Sequence, residues 1–325
     1  MKPFVHLELC ILHFRFYIFL YLRLRNFASI MIKRIAYFIL VSIFLAGCEK
    51  SITFTPENAE SLVVVEATIE NGQAPVIILS NSVNYFSQIS PEILAGSFIR
   101  NAIIEISDGT LTHKLKEYII PGLNGYNLYY YSVDSASLST AFKGEFGKSY
   151  SLKITTGGKD YTANTTIPLL AKKIDSLWWD KAPGNIDTSF AKVVARVSDP
   201  PGYGNYIRYF TRRNQELFWP GRNSAFDDQV VDGKTYDVQI DRGVNRNEEI
   251  DEETYALFDR GDTVTIKHCN IDKQTYDFWR TIEYSYASIG NPFSSPTKVL
   301  GNIKGGGLGY FGGYAAQYIS LIIPK

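Results

Sequence analysis

Cysteine, methionine and histidine are scarce in this sequence. Its 325 residues include three Cys, two Met and four His. Cys10 and Cys48 lie in or next to an N-terminal stretch that we expect the mature protein to lose or modify, which leaves Cys269 as the one free thiol. An intrachain disulfide is therefore excluded, and stability must come from the core. His113 and His268 are the remaining histidines, too few for a histidine-rich metal cluster.

The chain also lacks an excess of charge of one sign, with 33 Lys and Arg against 33 Asp and Glu. Removal of residues 1–47 would leave 27 basic and 32 acidic residues, a net charge of −5. This is a mildly acidic soluble surface, unlike the basic surface of a nucleic-acid-binding protein. We therefore expect no nucleic-acid partner.

Residues 31–48 read MIKRIAYFILVSIFLAGC and have the organisation of a secretory signal. A basic pair, Lys33 and Arg34, precedes an apolar run over 35–45 that is too short for a permanent membrane span. The ending LAGC resembles a bacterial lipobox, in which the Cys is lipidated and the chain is cut before it. We predict a lipoprotein signal peptide over 31–47, lipidation of Cys48 and a lipidated tether over 48–58. The alternative is a buried helix that ends in Cys.

Residues 1–30 precede this signal and are interrupted by Arg15, Arg23 and Arg25. Arginine is costly within a bilayer, so a second membrane segment is the weaker reading. We interpret this stretch as a mis-assigned upstream extension, with Met31 as the true start.

After the tether, short β-branched and aromatic runs recur about every ten residues, separated by turn residues. LVVVEATIENG at 62–72 is a strand that ends in an Asn-Gly turn, and Gly157-Gly158 separates two alternating runs as in a hairpin. This spacing predicts an all-β fold with an immunoglobulin-like β-sandwich over 59–167. Pro168 closes that domain.

Strand patterns resume after Pro168 and predict a second mainly-β domain over 168–325. It contains a Gly-, Asn- and Asp-rich segment at 219–234 that we interpret as a loop. One helix is predicted near 272–288, since aromatic and aliphatic residues recur there at helical spacing. The alternative is one continuous β-domain through residue 325.

Near the C-terminus, Gly307 to Gly312 formally match the G-x-G-x-x-G pattern of dinucleotide-binding loops. Such a loop needs a following helix and an acidic residue about twenty positions on, and neither is present here. His268 and Cys269 are adjacent in a strand and should point to opposite faces, so they cannot form a catalytic pair. We expect no cofactor and no enzymatic activity.

Three tryptophans are the candidate ligand-binding residues: Trp178, Trp179 and Trp219. One of two adjacent tryptophans on a strand must face outward, where its ring could stack on a sugar or a protein partner. The alternative is that one fills the core and the other covers the domain junction.

An acidic run is the candidate cation site, through Glu248, Glu249, Asp251 and Glu252. Carboxylate oxygens suit a hard cation such as calcium. The run lacks the spacing of an EF-hand, and a solvated charged loop is the alternative. Ligation by His and Cys is not expected, because these residues form no cluster.

The ordered landmarks of the chain resemble a Bacteroidetes family of cell-envelope lipoproteins, the domain of unknown function 4249. The matching stretches include the lipobox, LVVVEATIENG, YTANTTIP, VSDPPGYGNYIRY, IDKQTYDFWRTIE and NPFSSPTKVLGNIKGGGLGYFGGYA, and they cover 48–325. The resemblance implies outer-membrane anchoring near TonB-dependent receptors and supplies no known activity. Glu49-Lys50-Ser51 after Cys48 departs from the acidic cluster associated with surface export, so the periplasmic or surface orientation stays open.

From these observations we expect a non-catalytic, lipid-anchored accessory protein of the outer membrane. Its partners would be the membrane, a TonB-dependent receptor, and a glycan or peptide ligand. The alternative function is a surface glycan-binding or adhesion module.

Overall fold

The computed structural model describes residues 61–83, 90–122, 126–184, 188–289, 291, 294–295 and 297–325. The predicted extension, signal peptide, Cys48 and tether lie outside these residues. Asn58–Lys325 groups into one compact unit by its internal contacts. No helix among the described residues is both long and apolar enough to cross a bilayer.

The described residues form fifteen strands and two helices, which confirms the prediction of an all-β, sandwich-like fold. The helices are α1 Pro91–Ser97 and α2 Lys273–Ser288. In chain order the strands are β1 Val63–Glu70, β2 Val76–Asn81, β3 Ile103–Ser107, β4 Thr112–Pro121, β5 Asn127–Val133, β6 Ser149–Thr156, β7 Lys159–Thr166, β8 Lys173–Lys181, β9 Phe190–Ser198, β10 Tyr206–Arg213, β11 Trp219–Phe226, β12 Thr235–Ile240, β13 Phe258–Asp259, β14 Thr263–Ile271 and β15 Leu308–Ile322.

Eleven strands join in one sheet in the order β11-β10-β14-β15-β1-β2-β5-β4-β3-β6-β7. A smaller sheet contains β8, β9, β12 and β13, with β9 at its centre. β15 pairs in parallel with β1, whereas its pairing with β14 is antiparallel. The expected boundary at residue 168 therefore does not divide the large sheet, because the last strand returns to the first described one.

Alternation along the strands places apolar side chains on one face of the large sheet. Val65, Ala67 and Ile69 of β1 are buried in a cluster with residues of β2–β7 and β15, so the sheet curls around this core. A second cluster joins β9 of the small sheet to Val264 and Ile266 of β14. Both cores lie on the same face, and the opposite face of β14 and β15 receives α2.

Helix α2 forms where the sequence predicts it, and its first turn is fixed to the sheet. The N-cap residue Asp272 accepts a hydrogen bond from the Thr275 amide at 2.8 Å. Its other carboxylate oxygen accepts bonds from the Thr165 hydroxyl at 2.8 Å and the Thr166 amide at 3.0 Å. One side chain thus caps the helix and anchors it to β7.

Two elements differ from the sequence-based expectation. The interpretation of 219–234 as a loop is wrong in its first half, which forms β11. This strand is hard to recognise in the sequence because it contains Pro220, Gly221 and Asn223, which usually indicate a loop. It lies at the edge of the sheet, where such residues are tolerated. Helix α1 was not predicted; it starts at Pro91, with Ser90 accepting the Ile93 amide as a short-range cap.

Candidate functional site

A cavity of about 510 Å³ lies on the face of the large sheet that also receives α2. β1, β15, β14 and β10 supply its floor, while α2 and β11 contribute residues at its sides. The strand register explains which side chains meet there, because Glu66 pairs with Tyr310 and Arg208 pairs with Cys269. Residues directly opposite across these strands share a face of the sheet.

Arg208 is the central charge of the cavity, with only 4% of its surface exposed. Its guanidinium lies 3.3 Å from the ring centroid of Trp279 and 4.6 Å from that of Phe210. Nε donates to the Ser224 hydroxyl at 3.1 Å, and one terminal nitrogen donates to the Tyr314 hydroxyl at 3.4 Å. Among the residues that the structure describes, no carboxylate lies within 4.0 Å of this guanidinium.

Glu283 of α2 fixes the partner of Arg208 in place. Its buried carboxylate accepts the Ser224 hydroxyl at 2.5 Å and the Ser224 amide at 3.0 Å. These bonds tie α2 to the edge strand β11 and orient the hydroxyl that Arg208 contacts. Hydrogen bonds of the Glu283 carboxylate are thus made to Ser224 within the protein.

Lys267 and Glu70 form an ion pair in the cavity wall. Glu70 also accepts a hydrogen bond from the Tyr318 hydroxyl at 2.5 Å. Burial, aided by that bond to Glu70, raises the pKa of Tyr318 to about 12. This pair neutralises itself, so it adds no net charge to the cavity.

Glu66 differs from these paired residues. Within the described part of the chain its carboxylate has no hydrogen bond and no ion pair. Its side chain is exposed to solvent in the cavity, although protein atoms of the cavity wall lie around the carboxylate. Burial raises its pKa, and the positive charge of Arg208 opposes that effect.

Aromatic side chains line much of the remaining wall. Tyr310 stacks on Phe278 with ring centroids 4.4 Å apart and meets the edge of Trp279 at 5.1 Å. The Tyr314 hydroxyl lies 3.2 Å from that of Tyr310 and accepts the indole N–H of Trp279 at 3.0 Å. The cavity therefore combines an ordered aromatic wall with three charges that have no ion pair among the described residues: Arg208, Glu66 and, at the exposed rim, Arg246.

His268 and Cys269 lie on opposite faces of β14, as expected from their adjacency. Burial lowers the pKa of His268 to about 4 and raises the pKa of Cys269 to about 12. Cys269 is thus a neutral thiol at physiological pH, with none of the thiolate character that a nucleophile needs.

The match to known proteins covers the whole cavity. Residues 49–319 match the model of the family described as domain of unknown function (DUF4249). The chain belongs to this family. The search of curated proteins finds no match. In this DUF4249 chain every cavity residue named above lies within the matched range.

The structure does not bring the three predicted tryptophans together. Trp219 of β11 lines the cavity. Trp178 and Trp179 lie on β8 in the small sheet, where Arg196 lies 5.8 Å from the ring of Trp178. Trp179 packs against the second core.

The four acidic residues of the predicted cation site lie on an exposed loop and are dispersed among local partners. Glu252 forms an ion pair with Arg222, Glu248 accepts from Asn245 at 2.7 Å, and Asp251 accepts from Thr254 at 2.6 Å. Glu249 is exposed. Cation binding by Glu248, Glu249, Asp251 and Glu252 stays a prediction.

A different set of carboxylates converges, since oxygens of Asp199, Asp228 and Asp232 lie within 4.8 Å of one another. Asp199 is paired with the buried Lys172 at 3.0 Å. Asp228 and Asp232 accept backbone amides of the loop before β10. These contacts give the cluster a structural role in holding two loops together.

Arg208 and Glu66 were missed by the sequence reasoning, although a local signal marks both. Each is a charged residue whose immediate neighbours in the strand are mostly apolar or aromatic, in YIRYF and VVVEATI. A charge at such a position needs a partner or a cavity. The sequence does not show which of these two the fold provides.

Proposed function

We propose that this protein is a non-catalytic binding protein of the cell envelope, held at the outer membrane by lipid on Cys48. It works as an accessory to a TonB-dependent transporter and presents a ligand-binding cavity. The observation that supports binding most directly is the aromatic cavity around Arg208, a buried guanidinium without a carboxylate partner among the described residues. Pockets of a few hundred cubic ångströms with convergent polar groups are typical of small-ligand sites.

The organisation of the cavity supports binding because its polar groups are held before any ligand arrives. Ser224 fixes the Nε of Arg208, and Glu283 in turn fixes Ser224. Preorganisation of this kind lowers the entropy lost when a ligand binds. The neutral, buried Cys269 offers no activated nucleophile beside it.

The lipid anchor is tested by replacing its attachment point. A Cys48→Ala chain should leave the membrane fraction, since stable anchoring requires more than one acyl chain and this change removes all of them. Cys269→Ala is the matched control and should stay with the membrane. Equal membrane retention of the Cys48→Ala chain would contradict the anchor.

The transporter association is tested by isolating the full-length protein from membranes in mild detergent. We expect a TonB-dependent transporter to be recovered in proportion to the bait. If the protein is recovered without any transporter, in preparations that retain other outer-membrane complexes, this part of the proposal is contradicted.

A surface glycan-binding or adhesion module is the second candidate, and the place of Trp219 in the cavity wall favours it. A glycan array would show binding that Trp219→Ala removes and Trp178→Ala preserves. An array without signal, or equal binding by both variants, would count against this candidate.

A further inference from the structure

We propose that the cavity binds a zwitterion, a free α-amino acid or dipeptide with an apolar side chain, between Glu66 and Arg208. This inference rests on the proposed binding function and specifies its ligand class. In the complex the ligand ammonium contacts the Glu66 carboxylate, the ligand carboxylate contacts Arg208, and the side chain lies among the aromatic residues.

Contacts within the protein engage most of the charged side chains that line the cavity and leave Glu66 and Arg208 for a ligand. Glu70 is neutralised by Lys267, and Glu283 is occupied by Ser224. Glu66 and Arg208 remain, and neither has an ion pair with a described residue. Arg246 lies at the exposed rim, where it donates to the Arg222 carbonyl at 2.7 Å.

These two charges select the charge type of the ligand. A simple anion would be attracted by Arg208 and repelled by Glu66, while a simple cation would meet the reverse. A zwitterion pairs both charges at once and supplies the ionic partners that the buried Arg208 and the cavity-facing Glu66 lack. It also leaves the net charge of the site unchanged.

The environment of Arg208 fixes the direction from which a ligand approaches. Trp279 covers one side of the guanidinium at 3.3 Å and Phe210 lies at 4.6 Å. Because these rings pack against the guanidinium, and Nε and one terminal nitrogen already donate to Ser224 and Tyr314, a ligand binds along the edge that carries the remaining N–H groups. That edge matches the planar geometry of a carboxylate, which accepts two parallel hydrogen bonds from arginine.

The aromatic wall favours an apolar side chain over a sugar ring. Sugars stack on exposed flat faces of aromatic rings, but Trp279 has one face taken by Arg208 and Tyr310 has one taken by Phe278. The parts of these two rings that remain free add apolar surface to the wall. Such a wall packs well against an aliphatic or aromatic side chain.

Calorimetry on the full-length protein in detergent tests the proposal with L-phenylalanine and L-phenylalanyl-L-phenylalanine as probes. We expect at least one to bind, and the tighter of the two distinguishes a free amino acid from a dipeptide. N-acetylation, which removes the ammonium, and C-terminal amidation, which removes the carboxylate, should each weaken that binding about tenfold or more. Maltose should not compete.

Glu66→Gln keeps the shape of the side chain and removes its charge. It should weaken binding of the zwitterion about tenfold, and the N-acetylated probe should bind it no worse than it binds the unmodified protein. Glu105→Gln on β3 is the matched control and should bind every probe unchanged; circular dichroism confirms that both variants are folded. Arg208→Lys, which retains the charge but not the planar edge, should weaken the zwitterion and leave the amidated probe unaffected.

Equal binding of the free and N-acetylated probes, or equal binding by Glu66→Gln and the unmodified protein, would overturn the inference. Failure of both zwitterions to bind would also overturn it. If a transporter still co-purifies in that case, the proposed accessory function stands and only the ligand class is wrong. Loss of both results would contradict the two proposals together.

Discussion

Gly309 of β15 faces Val65 of β1 so closely that a Cβ atom on Gly309 would lie 1.9 Å from the Val65 carbonyl oxygen. Gly309 also has a φ of +96°, a conformation that favours glycine. The parallel pairing of β1 and β15 therefore depends on the absence of a side chain at this position. Since Glu66 follows Val65 and Tyr310 follows Gly309, the same contact positions part of the cavity floor.

Gly309→Ala should destabilise the fold strongly. The left-handed backbone alone costs about 1–2 kcal/mol, and the clash with Val65 adds about 1–3 kcal/mol. Gly306→Ala is the matched control, because Gly306 also has a positive φ but has nothing within 4 Å of an added Cβ. Urea unfolding of both variants measures the difference, and equal losses would show that the close approach is unimportant.

Asp272→Ala should cost more than the loss of an ordinary helix cap. The cap is worth about 1 kcal/mol, and the bonds to Thr165 and Thr166 raise the expected loss to about 3 kcal/mol. Ser90→Ala, which removes the cap of α1 alone, should cost about 1 kcal/mol or less. Chemical denaturation measures the free energy of unfolding of both variants. Similar losses would contradict the role of Asp272 in anchoring α2 to β7.

Glu283→Ala should destabilise the protein by about 3 kcal/mol, because it leaves the buried Ser224 amide and hydroxyl without their acceptor. The exposed Glu253→Ala should change stability by less than about 0.5 kcal/mol. Thermal unfolding followed by circular dichroism distinguishes these outcomes. Hydrogen exchange at β11 should rise in Glu283→Ala, and unchanged exchange there would contradict the proposed tie between α2 and this strand.

His268 should make stability fall as the solution is acidified. Burial lowers its folded pKa to about 4 from the ordinary histidine value of 6.5, so the unfolded chain takes up the proton first. The associated stability is complete above pH 6.5 and is lost as pH falls toward 4, by about 3 kcal/mol. NMR of the imidazole protons should show no titration of His268 near pH 6; a midpoint there would contradict its burial as the neutral form.

Glu66 should have the opposite effect on the pH profile. Burial raises its folded pKa above 4.5, so the folded protein holds this proton more tightly and loses stability as pH rises through the interval between the two values. Glu66→Gln should therefore increase the free energy of unfolding at pH 8 more than at pH 4. Glu105→Gln provides the reference, and a pH-independent effect of Glu66→Gln would contradict the raised pKa.

Much of the fold could be predicted because its signals are local. The Gly157-Gly158 hairpin joins β6 and β7, and the helical spacing near 272–288 corresponds to α2. Strand β11 escaped prediction because its Pro, Gly and Asn residues argue against a strand. It forms a strand because it pairs with β10 at the edge of the sheet and because Glu283 holds Ser224.

The cavity could not be predicted, because it depends on partners far apart in the sequence. Arg208 of β10 meets Trp279 of α2 and Tyr314 of β15, and no local pattern encodes those encounters. Trp219 was singled out from its residue type and does line the cavity. Trp178 and Trp179 share that residue type but lie in a different sheet.

The adjacency of β1 and β15 has a consequence for how the chain acquires its structure. The amide of Ala316 bonds to the side chain of Asn71 across 245 residues of sequence. The central strands therefore cannot complete their pairing until nearly the entire polypeptide has emerged, and contacts of such long range slow folding. Until β15 is present, β1 has an unpaired edge, and unpaired strand edges promote aggregation. A chaperone that shields this edge should therefore raise the yield of refolding.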